Sequence, residues 1–416
     1  MKIIVIAPAG LHLGYLGCYG NLWIDTPCLD ALADESTVFD QHISDCPTAL
    51  GAWRAWRTGR YSFPLSGSKS AFVPHDSPDI LSMLGARGIP SVLITESPSA
   101  PQANDMNGWQ KIHAISAAKE GSCQRELWQL AAESIRQLSS NDHGLVWLET
   151  NRLMPPWFVE ESSSDYFSPD PDEDCLEESI EPLLNPTMGL LDASDETTFR
   201  QLQRTYAAAV SWLDRQLGEL LEKLRRHDLY DSWMIIVTSD RGFPLGEHGL
   251  VGASRPWLHE ELVHIPLIIR MPHGAAGGAR IGALTQPVDL MPTLLEAFDL
   301  TSLDCHGSSL LPLIRGEQER IRDYACSGSE IGGELEYSLR TLDWAFLLPQ
   351  ETGSGGLHPP LRNPQLYVKP DDRWEVNNVL QHHFELAEQL EQTLRAFVKT
   401  PTRQAQGLQA LGLETI

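Results

Sequence analysis

The sequence predicts an α/β protein built on a doubly wound, mostly parallel sheet with helices on both faces, with a small C-terminal α+β subdomain. Three observations predict it. Apolar runs rich in β-branched residues, such as Ile3-Ile4-Val5-Ile6, read as strands covered on both faces. Segments of helical periodicity separate these runs, the pattern of βαβ units. Near Gly307-Ser308-Ser309-Leu310 the alternation stops, and shorter runs split by a Gly/Pro-rich stretch take over.

In chain order, Ile3 to Ile6 is the first strand. Pro27 to Ala33 reads as a helix, with Thr26 as N-cap and Pro27 at its first position. Asp79 to Leu84 reads as a helix closed by Gly88, and Ser91 to Ile94 as the next strand. Glu126 to Leu138 is an amphipathic helix, followed by a buried strand at Leu145 to Leu148. From Phe199 to Arg226 a long helix sets Tyr206, Val210, Leu213, Leu217, Leu221 and Leu224 on one face. Trp233 to Thr238 and Ile265 to Ile269 are strands. In the C-terminal part, Trp344 to Leu348 and Gln365 to Val368 read as antiparallel strands, closed by a helix from Phe384 to Val398. The expected division is an α/β domain over 1–315 and a subdomain over 316–416.

The 416 residues carry 31 Lys and Arg against 56 Asp and Glu, a formal charge of −25. Polyanion binding needs clustered basic residues, so the balance excludes a general nucleic-acid binder and disfavours a basic face on anionic lipid. Thirteen of the acids fall between Leu153 and Phe199, a stretch without Lys or Arg. With prolines at 155, 156, 169, 171, 182 and 186, this stretch reads as a long acidic surface loop inserted at 153–199. It is either a solvated surface or a dock for a basic protein partner.

The apolar run before Pro8 is too short for a signal segment, and no window is long and apolar enough to span a bilayer. Seven scattered cysteines form no CxxC pair, against both a disulfide framework and a zinc ribbon. A cytoplasmic, reduced protein is the expectation, with no membrane association and no nucleic-acid partner.

Several strings, taken together and in order, carry a resemblance. They are Leu16-Gly17-Cys18-Tyr19-Gly20, Thr26-Pro27-Cys28-Leu29-Asp30, Thr58-Gly59-Arg60, Val237-Thr238-Ser239-Asp240-Arg241-Gly242, Leu245-Gly246-Glu247-His248-Gly249, Ile265-Pro266-Leu267-Ile268-Ile269-Arg270, Val288-Asp289-Leu290-Met291-Pro292-Thr293, and Gln365-Leu366-Tyr367 with Glu375-Val376-Asn377-Asn378. In this set the chain resembles the sulfatase family of the alkaline phosphatase superfamily, which implies that fold and the hydrolysis of sulfuric esters. The resemblance also implies a divalent metal such as calcium, and a Cys or Ser nucleophile upstream of TGR.

The implied catalytic positions are not filled by catalytic side chains. The two acids after the first strand fall at Ala9 and Gly10, and a third often found nearer GCYG falls at Gly14. The nucleophile falls at Ala49, the motif's Pro at Gly51 and its Arg at Trp53. Cys46 in a slipped register would place Leu50 where the Arg belongs, so it reads as a small buried thiol. The strand end after Ile94 reads Thr95-Glu96-Ser97, without the family's Lys or His. The family's central-loop His has Arg152 as its nearest equivalent, and the Lys after GEHG has Ala253 or Ser254. Asp240 alone survives among the metal ligands, a vestige, and its neighbour is Arg241. That guanidinium either supplies the charge a metal would have brought, or points to solvent.

Four residues are pocket candidates: Arg241, Arg54, His248 and His259. Arg54, with Arg57, Arg60, Trp53 and Trp56, could form a lip for a small anion. His248 and His259, with His264, could gather as a cluster or serve as loop and helix-entry residues. No cofactor is expected. The reading is a sulfatase-like protein without an intact catalytic set, in a binding or regulatory role. The alternatives are an ester hydrolase of sulfate or phosphate working around Asp240, His248 and His259, and an interaction module acting through the acidic loop.

Overall fold

The structure, a computed structural model, describes residues 1–62, 79–96, 107–115, 122–160, 166–167, 180–301, 304–350 and 363–399. Its strands, in chain order, begin with β1 (Lys2–Pro8), β2 (Thr37–His42), β3 (Ser91–Glu96), β4 (Lys111–Ile115) and β5 (Gly144–Thr150). They continue with β6 (Gly189–Leu190), β7 (Trp233–Thr238), β8 (Leu250–Val251), β9 (Leu267–Arg270) and β10 (Ala279–Thr285). The eight-stranded sheet runs β10-β2-β9-β7-β1-β5-β3-β4, parallel throughout except at β9, which runs against both β2 and β7. The mostly parallel sheet expected from the apolar runs is therefore present.

Helices cover both faces. They are α1 (Pro27–Asp34), α2 (Ala49–Thr58), α3 (Ile80–Ala86), α4 (Ser122–Gln137), α5 (Glu196–Arg226), α6 (Glu260–Val263), α7 (Leu290–Ala297), α8 (Leu311–Ile314) and α9 (Phe384–Lys399). Alternation along β1 divides the core. Ile4 and Ile6 join α1, α4 and α5 on one side, while Ile3, Val5 and Ala7 join α2, α3, α7 and α8 on the other. All six apolar positions singled out on the long helix are buried. Each fully buried large aliphatic side chain contributes about 1.5–3 kcal/mol, so this stripe alone anchors α5 firmly to the sheet.

Beyond α8 lies an antiparallel sheet, β11 (Ala325–Ile331), β12 (Glu334–Arg340), β13 (Trp344–Gln350) and β14 (Gln365–Val368) in that order, with α9 packed against it. The expected pairing of β13 with β14 is seen, Trp344 opposite Val368.

The structure corrects some local readings. Thr26 does not cap α1 with its side chain. Its hydroxyl accepts from Gly17 N–H and donates to Asp30, while Asp214 on α5 accepts from the Cys28 and Leu29 amides. A helix terminus satisfied by a distant carboxylate leaves no local signature. The strand read from Ile265 begins at Leu267, since Ile265 N–H bonds His42 O ahead of it. Among the described residues no helix is long and apolar enough to cross a membrane.

Candidate functional site

Ligands of open α/β sheets gather at the carboxyl ends of the strands, and here the ends of β1, β5 and β7 converge. Past β1, Ala9 N–H bonds Thr150 O at 2.9 Å and the chain turns at Gly10 with φ +76°. Gly10 N–H donates to Asp240 Oδ1 at 3.1 Å, and Leu11 N–H to the Ser239 hydroxyl at 3.1 Å. Tyr206 of α5 donates to Gly10 O at 2.6 Å and accepts from His12 N–H at 2.8 Å. The turn where two metal-binding acids were sought is thus tied down by backbone amides.

Of the two placements open for Arg241, the structure has the inward one. Its Nη1 lies 2.9 Å from Asp240 Oδ2, with the Asp240 side chain almost wholly buried. Met154 completes this corner, its sulfur 4.0 Å from Arg241 Nη2. A Cβ placed on Gly10 would lie 2.6 Å from that sulfur. Sequence reasoning missed Met154 and took Arg152 as the loop's nearest equivalent to the family's His. Arg152 instead turns away, over the Phe158 and Trp212 rings, and bonds Phe158 O.

Across the sheet, Ala49 opens α2, where the Thr48 hydroxyl accepts from Gly51 N–H at 3.0 Å. A Cβ on Gly51 would fall 2.6 Å from Cys46 Sγ, so the thiol and the helix need a glycine between them. Cys46 is free and buried, as expected, and burial followed by the Asp45 charge pushes its thiol up to about 12. Burial likewise raises the Asp45 carboxyl to about 6.

Trp53, at the family's Arg position, lies tilted against Trp147 at 5.9 Å, with Trp109 edge-on to it at 6.2 Å. The lip of three arginines does not form as imagined. Arg57 is bound to Asp79 and Asn107 O, and Arg60 to Asp304 O. Arg54 is half-buried, close enough to Asp45 and Cys46 for its charge to act on both.

Glu149, the second feature the sequence reading missed, stands at the end of β5 opposite Ala7. It accepts the Trp147 indole N–H at 3.2 Å. Burial pushes its carboxyl well above the usual range, and the Asp240 charge adds to this. The alternation that hides it is simple: Trp147 and Glu149 share the face of β5 that looks toward α2. On the neighbouring strand Glu96 accepts from the Thr150 hydroxyl and Asn151 N–H.

His248 and His259 do come together, rings stacked at 3.9 Å, but around other partners than Asp240. His248 Nδ1 pairs with Glu261 at 2.8 Å and its Nε2 with Glu375 O at 3.2 Å; His259 Nδ1 pairs with Glu375 at 3.0 Å. Burial opposes a charge on His248, but Glu261 and Glu375 outweigh it and hold the ring up to about 9. Glu375 also takes Arg340 at 2.7 Å and Lys369 at 3.2 Å. His264 lies apart from the stack, on Glu260 and Asp40 O. The histidines therefore bind the loop after β7 to the C-terminal part of the chain. Most of the acidic loop, including 161–165 and 168–179, lies outside the described residues.

The donors here do not suit a hard divalent cation, which takes roughly six to eight oxygens in the case of calcium. Ala9 and Gly10 offer no side-chain oxygen, and Asp240 is shared between Gly10 N–H and Arg241. Among the described residues no group of three His, Cys, Asp or Glu side chains is placed to hold a metal ion.

Comparison with known proteins agrees with this architecture. Residues 3–300 match the family model described as Sulfatase. An N-acetylglucosamine-6-O-sulfatase of Bacteroides thetaiotaomicron is 28% identical over 190 residues, 44% of this chain and 32% of that protein. Arylsulfatase K of Rattus norvegicus is 26% identical over 216 residues, 50% of this chain and 37% of its own. The match thus spans about a third of the length of these curated relatives. In structure, the sulfatase-fold protein yidJ of Bacteroides fragilis is similar with a TM-score of 0.76 at 17% identity, covering 95% of each chain. The phosphonate monoester hydrolase of Agrobacterium radiobacter is similar at 0.72 and 18%, covering 95% of this chain and 96% of its own. With the family model matched from β1 to beyond α7, the chain belongs to the sulfatase family.

Proposed function

We propose that this member of the sulfatase family does not hydrolyse sulfate esters by metal-dependent chemistry and that it works by binding a ligand at the remodelled centre, in a regulatory role. The observation that carries the reading is the Arg241 guanidinium 2.9 Å from the Asp240 carboxylate. A buried carboxylate without a counter-charge is costly by several kcal/mol, and in a metal enzyme the ion removes that cost. Here an arginine does so, and it repels a second cation at close range. Ala49 supports the same reading, since its methyl group cannot attack sulfur. Sulfuric ester hydrolysis, the activity in the names of the relatives, is the property the resemblance carries, and these positions argue against it for this chain.

The hydrolase alternative around Asp240, His248 and His259 is weakened by the engagement of both histidines with Glu261 and Glu375. Metal analysis of the purified protein, with arylsulfate and arylphosphate turnover, tests the reading. No stoichiometric divalent ion and no turnover are expected. One calcium or zinc per chain, or turnover abolished by Asp240→Ala, overturns it.

A further inference from the structure

We propose that the outward face of residues 184–190, near the end of the long acidic stretch, docks a short amphipathic segment of a partner protein, rich in Lys and Arg. No residue of the centre at Asp240 takes part, so this surface stands or falls apart from the ligand-binding reading.

Two observations lead to it. The first is how the stretch is held. Leu183 packs against the core, its N–H on the Thr205 hydroxyl at 2.9 Å. Leu191 packs against the core from the other end, its N–H on Gly249 O at 2.9 Å, and Pro186 between them is buried. The anchoring positions are thus filled, yet the positions that face outward are apolar too: Leu184 is 42% exposed, Met188 41% and Leu190 61%. On β6, Leu190 stands opposite Leu250 of β8, and the Met188 sulfur fills the space where a Cβ on Gly252 would stand. Ala253, exposed beside Gly252, extends the surface. An exposed apolar cluster rimmed by polar groups marks an interaction site.

The second is the charge of the rim. Glu181, Asp192, Asp195 and Glu196 flank the apolar positions on both sides, all exposed, and from 153 to 199 there is no Lys or Arg. Hydrogen bonds from Ser194 to Asp192 and from Thr198 to Asp195 hold these two carboxyls below the usual range, so both are ionised at neutral pH. Among the described residues none of the four acids has an ion-pair partner, whereas the next bases along the chain, Arg200 and Arg204, are already engaged.

Together these features select the occupant. An acidic rim repels nucleic acid and anionic lipid. It also repels a second copy of this chain, whose charge is −25, and a few side chains cover far less than the roughly 800 Å² per partner of a stable dimer. A short segment with bases on one side and apolar anchors on the other meets both the rim and the face. Met188 suits it, because a flexible thioether adapts to anchors of different shape.

The test is a fluorescence-anisotropy titration of the full chain into a labelled Lys/Leu peptide of about 18 residues, with Leu on one helical face. Two companion peptides separate charge from apolar contact, one with Ser for every Leu and one with Glu for every Lys. Saturable binding of the Lys/Leu peptide is expected, about tenfold or more tighter than the Lys/Ser peptide, with none of the Glu/Leu peptide. Met188→Ser with Leu190→Ser is expected to weaken it by about tenfold, and Asp192→Asn with Glu196→Gln by several-fold, with a smaller dependence on salt. All four side chains are exposed, and thermal melts matching the parent verify that the variants fold. A photo-crosslinker at position 190 is expected to join the Lys/Leu peptide. Equal binding of the Lys/Leu and Lys/Ser peptides, which is general attraction to an acidic chain, overturns the proposal. So does binding unchanged in the Met188→Ser, Leu190→Ser protein, or a cross-link from position 190 to another part of the chain or to a second copy.

Discussion

Arg241 and Asp240, neighbours in sequence, fold back on each other so that guanidinium and carboxylate sit 2.9 Å apart at the end of β7, with Gly10 N–H on the other carboxylate oxygen. Removing one partner of such a pair strands a charge in the interior. Arg241→Ala is expected to lower stability by about 2–4 kcal/mol, and Asp240→Asn in the same background to recover part of the loss. Urea denaturation of the two single variants and the double variant measures this. An Arg241→Ala protein as stable as the parent would show that the charge is not needed.

Putting the acids back should not put the metal back. Gly10 has φ +76° and its missing Cβ would lie 2.6 Å from Met154 Sδ. Gly10→Asp is therefore expected to cost about 1–3 kcal/mol through backbone strain and crowding, without creating calcium affinity. Adding Met154→Ala should return the crowding part only. Thermal melts with and without calcium distinguish the cases, and a calcium-dependent rise in Tm of the Gly10→Asp protein would contradict the expectation.

The His248 ring titrates at about 9 in the folded protein, above its ordinary 6.5. A raised histidine pKa stabilises the fold fully below the unfolded value, and that contribution is lost as pH rises from about 6.5 through 9. A loss of order 1–3 kcal/mol across that window is expected, smaller where solvent screens the ring. Stability measured by urea from pH 6 to 10 should slope downward in the parent and flatten in His248→Gln.

Glu375 is the point where Arg340, Lys369 and His259 meet. Glu375→Ala leaves the buried Arg340 without its carboxylate and Lys369 with Glu260 alone, at an expected cost of about 3–5 kcal/mol. Limited proteolysis should then release the C-terminal part before the α/β part is cut. Equal protease resistance in the parent and the variant would place the anchor elsewhere.

Cys46 should be inert. With its thiol pushed up to about 12, almost no thiolate exists at pH 8. Iodoacetamide followed by mass spectrometry is expected to leave Cys46 unmodified in the folded protein and to label it in urea.

The central strands were legible because β1, β5 and β7 are buried on both faces and leave unbroken apolar runs, and α5 because its stripe is long. Elements interrupted by polar residues were not. Strand β2 carries Asp40 and Gln41 at its half-exposed positions, the edge strand β4 is mostly solvent-facing, and α2 holds Gly51, Arg54 and Arg57 within a ten-residue span. At the site, Asp240 and Arg241 could be read because the TSD string points to them. Glu149 and Met154 could not, because only the register of β5 against β1 and the tight turn at Gly10 bring them to Asp240. The stacked histidines were visible as residues but not as partners of Glu375, which lies over a hundred positions away in the chain.

The position of β1 bears on how the chain folds. Strand β1 lies in the middle of the sheet, and its two partners begin far along the chain, at Gly144 and Trp233. An apolar strand without neighbours is a template for wrong pairing. Both edges of Ile3-Ile4-Val5-Ile6 are covered only when β5 and β7, each more than a hundred positions further along, have docked on them, so the strand stays a hazard until those long closures are made. Loop closures of this length also make slow folding the expectation once synthesis ends.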